Sequence, residues 1–178
     1  KVRVMDALVQ DTHDEQTRHA LLELERVDQE LTRRRREQGM EFYIPNPMQH
    51  RAHQSNAKTI LYIGGNRAGK STFGAMELCW HLTRKYPTWF SKERRFTHPI
   101  KAVIVATEFP IIERAIEPKI FDYLPKNYIA KVKRTPQGYL SRLVTKDGST
   151  VDILSNEMDD MAFESADWDF YWGDEPQR

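Results

Sequence analysis

The stretch that decides the fold is Gly64-Gly-Asn-Arg-Ala-Gly-Lys-Ser-Thr72. Gly64, Gly69 and the Lys70-Ser71 pair that follows have the spacing of a phosphate-binding loop, Gly-x4-Gly-Lys-Ser. Glycines allow a tight loop whose backbone N–H groups turn inward toward an anion. The positive end of the helix that follows such a loop faces the same anion. The sequence therefore predicts a nucleotide-binding site.

The residues of this loop have separate predicted roles. Lys70 can reach the β- and γ-phosphates, and Ser71 can place its hydroxyl on Mg²⁺. Arg67 leaves two alternatives open, since it can contact the γ-phosphate and stabilise its charge, or point outward and pair with a local acid. We predict catalytic roles for Lys70 and Arg67. The predicted nucleotide-contacting residues of the loop are Gly64, Gly65, Asn66, Arg67, Ala68, Gly69, Lys70, Ser71 and Thr72.

The sequence around the loop predicts an α/β protein. An apolar, β-rich run precedes the loop and a helical stretch follows it, as the motif requires. A hairpin is indicated by two alternating segments on either side of Asp147-Gly148. The predicted strands are 59–63, 102–106, 139–145, 150–154 and 168–172, and the predicted helices are 12–38, 49–54, 73–82 and 110–124. This alternation predicts an α/β sheet with parallel central strands. Together with the phosphate-loop motif it gives our predicted fold class, a P-loop NTPase fold of the RecA-like class with a mainly parallel central sheet flanked by helices.

Residues 1–40 are predicted to form an N-terminal helical segment, and residues 41–178 an ATPase domain. The long helix has a thin apolar stripe, which we expect to lie against the core or against a neighbouring subunit. Four consecutive arginines, Arg33 to Arg36, occupy its last turns. A solvated helix end is the favoured interpretation of these arginines, ahead of a phosphate-binding patch.

Composition restricts the classes of protein that remain. The chain has 178 residues, 39% hydrophobic and 30% charged, with a net charge of +1, which fits one domain and argues neither for nor against a nucleic-acid partner. No apolar run approaches the roughly 20 residues that span a bilayer, and the N-terminus has no secretory signal. Cys79 is the single cysteine, so no intrachain disulfide is possible and a reducing cytoplasm is expected.

A second motif, Asp169-Phe-Tyr-Trp-Gly-Asp174-Glu175, is an aromatic strand that ends in two acids. An Asp at the end of such a strand can hold Mg²⁺, and the adjacent Glu can orient the attacking water and accept its proton. We therefore predict that Asp174 is a metal ligand and Glu175 the catalytic base of an ATPase. Because the ligands of parallel sheets bind at the carboxyl ends of the strands, this pair should lie near the phosphate loop.

Gln49 is a candidate for recognising the base of the nucleotide. A side-chain amide can donate to and accept from the adenine edge at once, which would favour ATP over GTP. A surface glutamine with no such role is the alternative, and Gln54 is a less favoured candidate for the same contact.

Three stretches together resemble the ATPase domain of the large terminase subunit of tailed bacteriophages. Pro47-Met-Gln49 is similar to the adenine motif of that family. Ile63 to Thr72 is similar to its phosphate loop, including the internal arginine. Phe163 to Pro176, which ends in Gly-Asp-Glu-Pro, is similar to its hydrolytic strand and the approach to it. The resemblance covers about residues 45 to 176 and does not include the N-terminal helix.

The resemblance implies an ATP- and Mg²⁺-dependent motor that packages double-stranded DNA into a procapsid in the host cytoplasm. It implies a homo-oligomeric ring docked on the portal protein, a small terminase subunit as partner and no membrane. It also implies that the chain is a fragment of a longer protein, whose C-terminal nuclease domain is not included, so this chain should not cut DNA. Ring motors commonly receive an arginine from the neighbouring subunit, and the candidates are Arg114, Arg134 and Arg142.

Two other functions fit the same motifs. A helicase-like ATPase that remodels nucleic acid would share the phosphate loop and the acidic pair. A nucleotide-gated assembly module would bind ATP without turnover, but it has less need of a catalytic base such as Glu175. Turnover by the intact protein distinguishes the module from the two ATPases.

Overall fold

The computed structural model describes residues 2–156, 158 and 167–174 of the chain. Five α-helices and five strands form its regular part. The helices are α1 (Val2–Glu37), α2 (Pro47–Gln54), α3 (Lys70–Thr83), α4 (Phe109–Ile111) and α5 (Glu117–Tyr123), with a π-helical turn over Ile112–Ile116 between the last two. The strands are β1 (Lys101–Ala106), β2 (Ile129–Arg134), β3 (Leu140–Thr145), β4 (Thr150–Ser155) and β5 (Phe170–Asp174). Short 3₁₀ turns cover Gly39–Phe42, Lys92–Arg94 and Lys126–Tyr128.

The strands form one sheet in the order β2-β3-β4-β1-β5. Strand β1 pairs in parallel with β4 and with β5, whereas β2-β3 and β3-β4 are antiparallel. The α/β class is confirmed, but the prediction of a mainly parallel sheet is wrong. The physical reason is the tight turn at Asp147-Gly148, with Gly148 at φ 93°, because strands joined by so short a turn run antiparallel.

The sheet is built around β1, of which all residues but the first are buried. One face packs against α3 and the α4–α5 segment, and its core includes Leu78, Ile104 and Ile116. The opposite face carries a smaller cluster of Val103, Val105 and Leu154. Burial of this alternating apolar surface is the main favourable contribution to the fold.

Helix α3 approaches β5 closely at one glycine. A Cβ atom built on Gly74 would lie 2.3 Å from Cε2 of Trp172, so only glycine allows this approach of helix and strand. The contact fixes the first turn of α3 beside the carboxyl end of β5. The two sequence motifs are thereby brought to the same edge of the sheet.

Residues 59–63, which we predicted to be a buried strand, do not form one. The side chains of Leu61 and Ile63 are 82% and 81% exposed. A strand needs a neighbour for its backbone N–H and C=O groups, and within the described residues no strand pairs with this run. Its apolar composition therefore did not suffice to form a strand.

The other predicted elements are present, but the predicted helix 110–124 is divided into α4, a π-helical turn and α5, and the predicted last strand is shifted from 168–172 to Phe170–Asp174. Helix α1 begins earlier than predicted, and its stripe does not lie on the core, since Leu24 and Val27 are exposed. Strand β2 was not predicted, because it is an edge strand with little burial on either face and lacks a buried alternating pattern. No helix in the described part of the chain is long and apolar enough to cross a membrane.

Candidate nucleotide site

The phosphate loop leads directly into the N-terminus of α3. Gly69 is the N-cap of this helix in the left-handed conformation, φ 80°, which glycine adopts without strain. The Lys70 Nζ donates to the carbonyl oxygens of Gly64 at 2.8 Å and Gly65 at 3.2 Å. The ammonium is therefore held over the start of the loop, next to the positive end of the helix. This arrangement concentrates positive charge where an anion would bind.

The predicted loop residues divide by exposure along the chain. Gly64, Gly65, Asn66 and Arg67 are exposed, and Ala68, Gly69, Lys70, Ser71 and Thr72 are half-buried. The side that is open to solvent is thus the first half of the loop. The second half is anchored by α3 and its neighbours.

Ser71 and Asp174, the two predicted metal ligands, lie together although they are 103 positions apart in the sequence. The Ser71 Oγ donates to the Asp174 carboxylate, 3.3 Å from Oδ1 and 3.5 Å from Oδ2. Hydroxyl and carboxylate oxygens suit Mg²⁺, which usually keeps several waters and takes one or two carboxylates plus phosphate oxygens. Among the described residues there is no group of three or more His, Cys, Asp or Glu side chains that could hold a metal ion.

Glu175, the predicted catalytic base, lies outside the described residues. Asp174 is the last residue of β5, and it directly precedes Glu175 in the chain. The role of Glu175 therefore stays a prediction from the sequence.

Gln49 is not a surface residue, since it is only 4% exposed. It is the third residue of α2 and forms a capping box with Asn46. Its Nε2 donates to the carbonyl oxygen of Gly69 at 2.9 Å. Gln54, the alternative candidate, is exposed at the end of α2. Gln49 thus touches the phosphate loop itself, a contact that the sequence pattern did not reveal.

An open cavity of about 420 Å³ adjoins the loop. Its walls include Phe42, Tyr43, Gln49, Arg67, Thr72 and Tyr123. Aromatic and polar side chains of this kind can accommodate a planar, hydrogen-bonding ring. The cavity is the best placed space for the base of a nucleotide whose phosphates lie on the loop.

Arg67 is exposed and has a left-handed backbone, φ 64°. It lines the cavity beside Gly69. In the part of the chain that the structure describes, no acidic side chain forms an ion pair with it. The alternative of a local ion pair is therefore not seen among these residues.

The three arginines that are candidates for entering the site of a neighbouring subunit differ in their interactions within this chain. Arg134 pairs with Glu117 at 2.5 Å and donates to the Gly138 carbonyl, and Arg142 pairs with Asp152 at 3.3 Å. Arg114 is exposed, and its Nε donates to the carbonyl oxygen of Pro110 at 3.2 Å. No ion pair of Arg114 occurs among the described residues. Of the three arginines, Arg114 would therefore lose the least interaction free energy on moving to a neighbouring subunit.

A buried polar cluster, missed by the sequence analysis, lies behind the phosphate loop. Glu77 of α3 accepts from His53 Nδ1 at 2.6 Å and contacts His81 Nε2 at 3.4 Å and the guanidinium of Arg94. The Tyr43 hydroxyl lies 3.0 Å from the other ring nitrogen of His53. The available signal was the placement of Glu77 and His81 one turn apart in an otherwise apolar helix. The cluster ties α2 and the segment around Arg94 to α3.

This cluster determines which protonation states the fold prefers. Burial raises the pKa of Glu77, but hydrogen bonds from His53 and His81 and the charge of Arg94 outweigh it and lower the pKa from 4.5 to about 2. Burial also lowers the pKa of His53 and His81 below the usual 6.5, despite their hydrogen bonds to Glu77. The folded state therefore keeps neutral imidazoles donating to an ionised carboxylate.

We expect the free energy of unfolding to fall as the pH is lowered below about 6.5. The unfolded histidines bind protons there, whereas the folded ones resist them, and Glu77 adds a second loss between about 4.5 and 2. Denaturant unfolding measured from pH 8 to pH 4 checks this. His53→Gln with His81→Gln should flatten the slope between pH 7 and 5, and His98→Gln, an exposed histidine, should not. An equal slope in all three proteins would contradict the assignment.

Fold and site together define a mixed α/β protein with a glycine-rich loop at a helix N-terminus and a serine–aspartate pair beside it. Comparisons with protein-family models, curated proteins and solved structures found no match. A functional assignment therefore depends on this site and on the motifs of the sequence.

Proposed function

We propose that this chain is the ATP-hydrolysing motor domain of a large terminase subunit, with a P-loop NTPase core, that drives packaging of double-stranded DNA into a procapsid. The observation that carries the ATPase part is the contact of Ser71 with Asp174. It places a hydroxyl and a carboxylate at the first turn of the helix that follows the glycine loop. A triphosphate on the loop would then have cationic, hydrogen-bonding and metal-binding groups within reach.

Each group has one task in this proposal. Lys70 and the N–H groups that begin α3 bind the β- and γ-phosphates, and Ser71 and Asp174 hold Mg²⁺. When bound, Mg²⁺ neutralises the charge that builds up on the phosphate oxygens. Glu175 orients a water molecule and takes its proton as the water oxygen bonds to the γ-phosphorus. The bond from that phosphorus to the bridging oxygen breaks, and ADP and phosphate leave.

The DNA-packaging part of the proposal depends on the sequence resemblance. Its support is the combination of the Pro47-Met-Gln49 stretch, the arginine inside the loop and the Gly-Asp-Glu-Pro ending. The partners that follow are double-stranded DNA, a portal protein, a small terminase subunit and further copies of this chain in a ring. The working location is the host cytoplasm, at the procapsid portal.

The test is ATP-dependent transfer of duplex DNA into procapsids by the intact protein. Protection of the DNA from added nuclease measures packaging, and a strand-displacement assay with the same preparation measures unwinding. Protected duplex without strand separation is the expected result. Strand separation without protection would instead favour a helicase-like ATPase, and nucleotide binding without turnover would favour an assembly module.

We expect Glu175→Gln to retain ATP binding and to lose hydrolysis. The amide keeps the shape of the carboxylate but is not a base, so kcat should fall by about 10²-fold or more. Equilibrium binding of ATP and single-turnover hydrolysis by the intact protein measure the two effects separately. Glu23→Gln, which changes an exposed glutamate on α1, is the matched control and should leave kcat unchanged. Weaker binding with normal turnover per bound ATP would make Glu175 a structural acid.

A further inference from the structure

We propose that Gln49 is a positioning residue, which shapes the phosphate loop through the carbonyl of Gly69 and acts on any triphosphate whatever its base. The inference rests on the proposed function, because it assumes that the loop binds nucleotide phosphates. It differs from the adenine contact expected of Gln49 from the sequence, and the two roles give different results in one experiment.

The side-chain amide of Gln49 is engaged at both ends within the protein. Its Oε1 accepts the backbone N–H of Asn46 at 2.9 Å, which starts α2, and its Nε2 donates to the Gly69 carbonyl at 2.9 Å. The Asn46 Oδ1 accepts from the backbone N–H of Gln49 in return, also at 2.9 Å. At 4% exposure, the amide has little surface left for a ligand. A direct contact with adenine would use the second N–H and the second oxygen lone pair of this amide, and the burial of the side chain leaves them little access to a ligand.

Gly69 is the point in the loop where such a contact has most effect. It precedes Lys70, caps α3 and has a left-handed backbone, φ 80°. A Cβ atom at this position would lie 2.6 Å from Nε2 of Gln49, so glutamine and glycine fit each other closely. Fixing the Gly69 carbonyl fixes the peptide that follows it. That peptide carries the N–H of Lys70, the first N–H of α3 to face an anion.

Helix α2 is itself held rigidly, so it can serve as a fixed support. One turn after Gln49, His53 is fully buried and donates to Glu77 of α3 at 2.6 Å. The His53 ring also stacks on Phe73, with ring centroids 4.4 Å apart. Helix α2 therefore contacts the α3 region through two residues: Gln49 reaches Gly69, the N-cap of α3, and His53, one turn further along α2, reaches Phe73 and Glu77. Gln49 is the end of this support that reaches the phosphate loop.

The test uses Gln49→Glu in the intact protein. Glutamate keeps the acceptor for the Asn46 N–H and hence the start of α2, but at pH 8 it has no donor for the Gly69 carbonyl. The ligands are ATP, GTP and inorganic tripolyphosphate, each with Mg²⁺, and binding is measured by titration calorimetry. Arg51→Gln, which changes an exposed side chain further along the same helix, is the control. Gln49→Ala is a second variant, and the unfolding transition of each variant shows that it is folded.

The positioning role predicts that Gln49→Glu and the uncharged Gln49→Ala both weaken binding of all three ligands, each by one factor common to the three and about tenfold for one lost hydrogen bond. The ratio of ATP to GTP affinity stays as in the wild type, the KM for ATP rises by the same factor, and Arg51→Gln changes nothing. A loss confined to ATP, with tripolyphosphate unaffected, would overturn the inference and make Gln49 a reader of adenine. Unchanged binding of all three ligands would also overturn it. If the wild-type protein bound none of them, the proposed function itself would fail.

Discussion

Replacing Lys70 with alanine is expected to abolish ATP turnover and to weaken nucleotide binding. The Lys70 ammonium lies 2.8 Å and 3.2 Å from two carbonyl oxygens of the loop, so its charge already lies at the loop that we propose binds the phosphates. Alanine removes the cation placed against the β- and γ-phosphates, where charge increases during transfer. Steady-state phosphate release and ATP titration of the intact protein measure the two losses.

The control for this experiment is Lys58→Ala. Lys58 is exposed on the segment that precedes the loop, so its removal changes the net charge by the same amount without touching the site. We expect it to keep wild-type turnover. Wild-type turnover in Lys70→Ala as well would end the assignment of this loop as a catalytic nucleotide site.

The elements that could be predicted from the sequence are those set by local patterns. The buried run of β1, the hairpin turn at Asp147-Gly148 and helix α3 each have a signal within a few residues. The run 59–63 has such a signal too, yet its strand was predicted wrongly, because pairing depends on a neighbour elsewhere in the chain. Strand β2 shows the opposite case, since pairing with β3 holds it in the sheet although most of its side chains face solvent.

The candidate site also has some features that the sequence predicts and others that depend on tertiary packing. The proximity of Ser71 and Asp174 follows from two motifs whose chemistry requires them to meet. The hydrogen bond from Gln49 to Gly69 could not be predicted, because it depends on how α2 packs against the loop. The cluster around Glu77 joins α2, α3 and the segment at Arg94, and sequence periodicity marks only the pair within α3. Motif spacing thus indicates the chemistry, whereas tertiary packing determines the support behind it.

A large loss of activity is also expected when the arginine that completes the site is missing. We expect the isolated chain to hydrolyse ATP slowly and ring assembly on the portal to restore activity, with Arg114 supplied by the neighbouring subunit. Arg134 and Arg142 are each in an ion pair that would have to break, whereas Arg114 is exposed and makes one hydrogen bond to a backbone carbonyl. In known phosphoryl-transfer systems, an arginine supplied by a neighbouring protein increases kcat by about 10³–10⁵-fold.

Mixing inactive subunits tests this directly. A Glu175→Gln subunit lacks the base but can lend its Arg114, and an Arg114→Ala subunit lacks the arginine but keeps its base. In a mixed ring, the sites of the second subunit receive an intact arginine from the first, so turnover should return, whereas each variant alone stays inactive. Arg134→Ala and Arg142→Ala are the matched controls and should be active without mixing. If one of them is inactive alone and restored by Glu175→Gln, that arginine is the one supplied in trans.

Turnover as a function of protein concentration gives an independent measure of the same coupling. A site completed by its neighbour gains activity per subunit as the ring forms, because each subunit is then correctly placed against the next. A monomer that hydrolyses ATP at the full rate at every concentration would contradict the trans arginine. Arg67, exposed in the loop and without an acidic partner among the described residues, would then be the arginine that stabilises the γ-phosphate in cis.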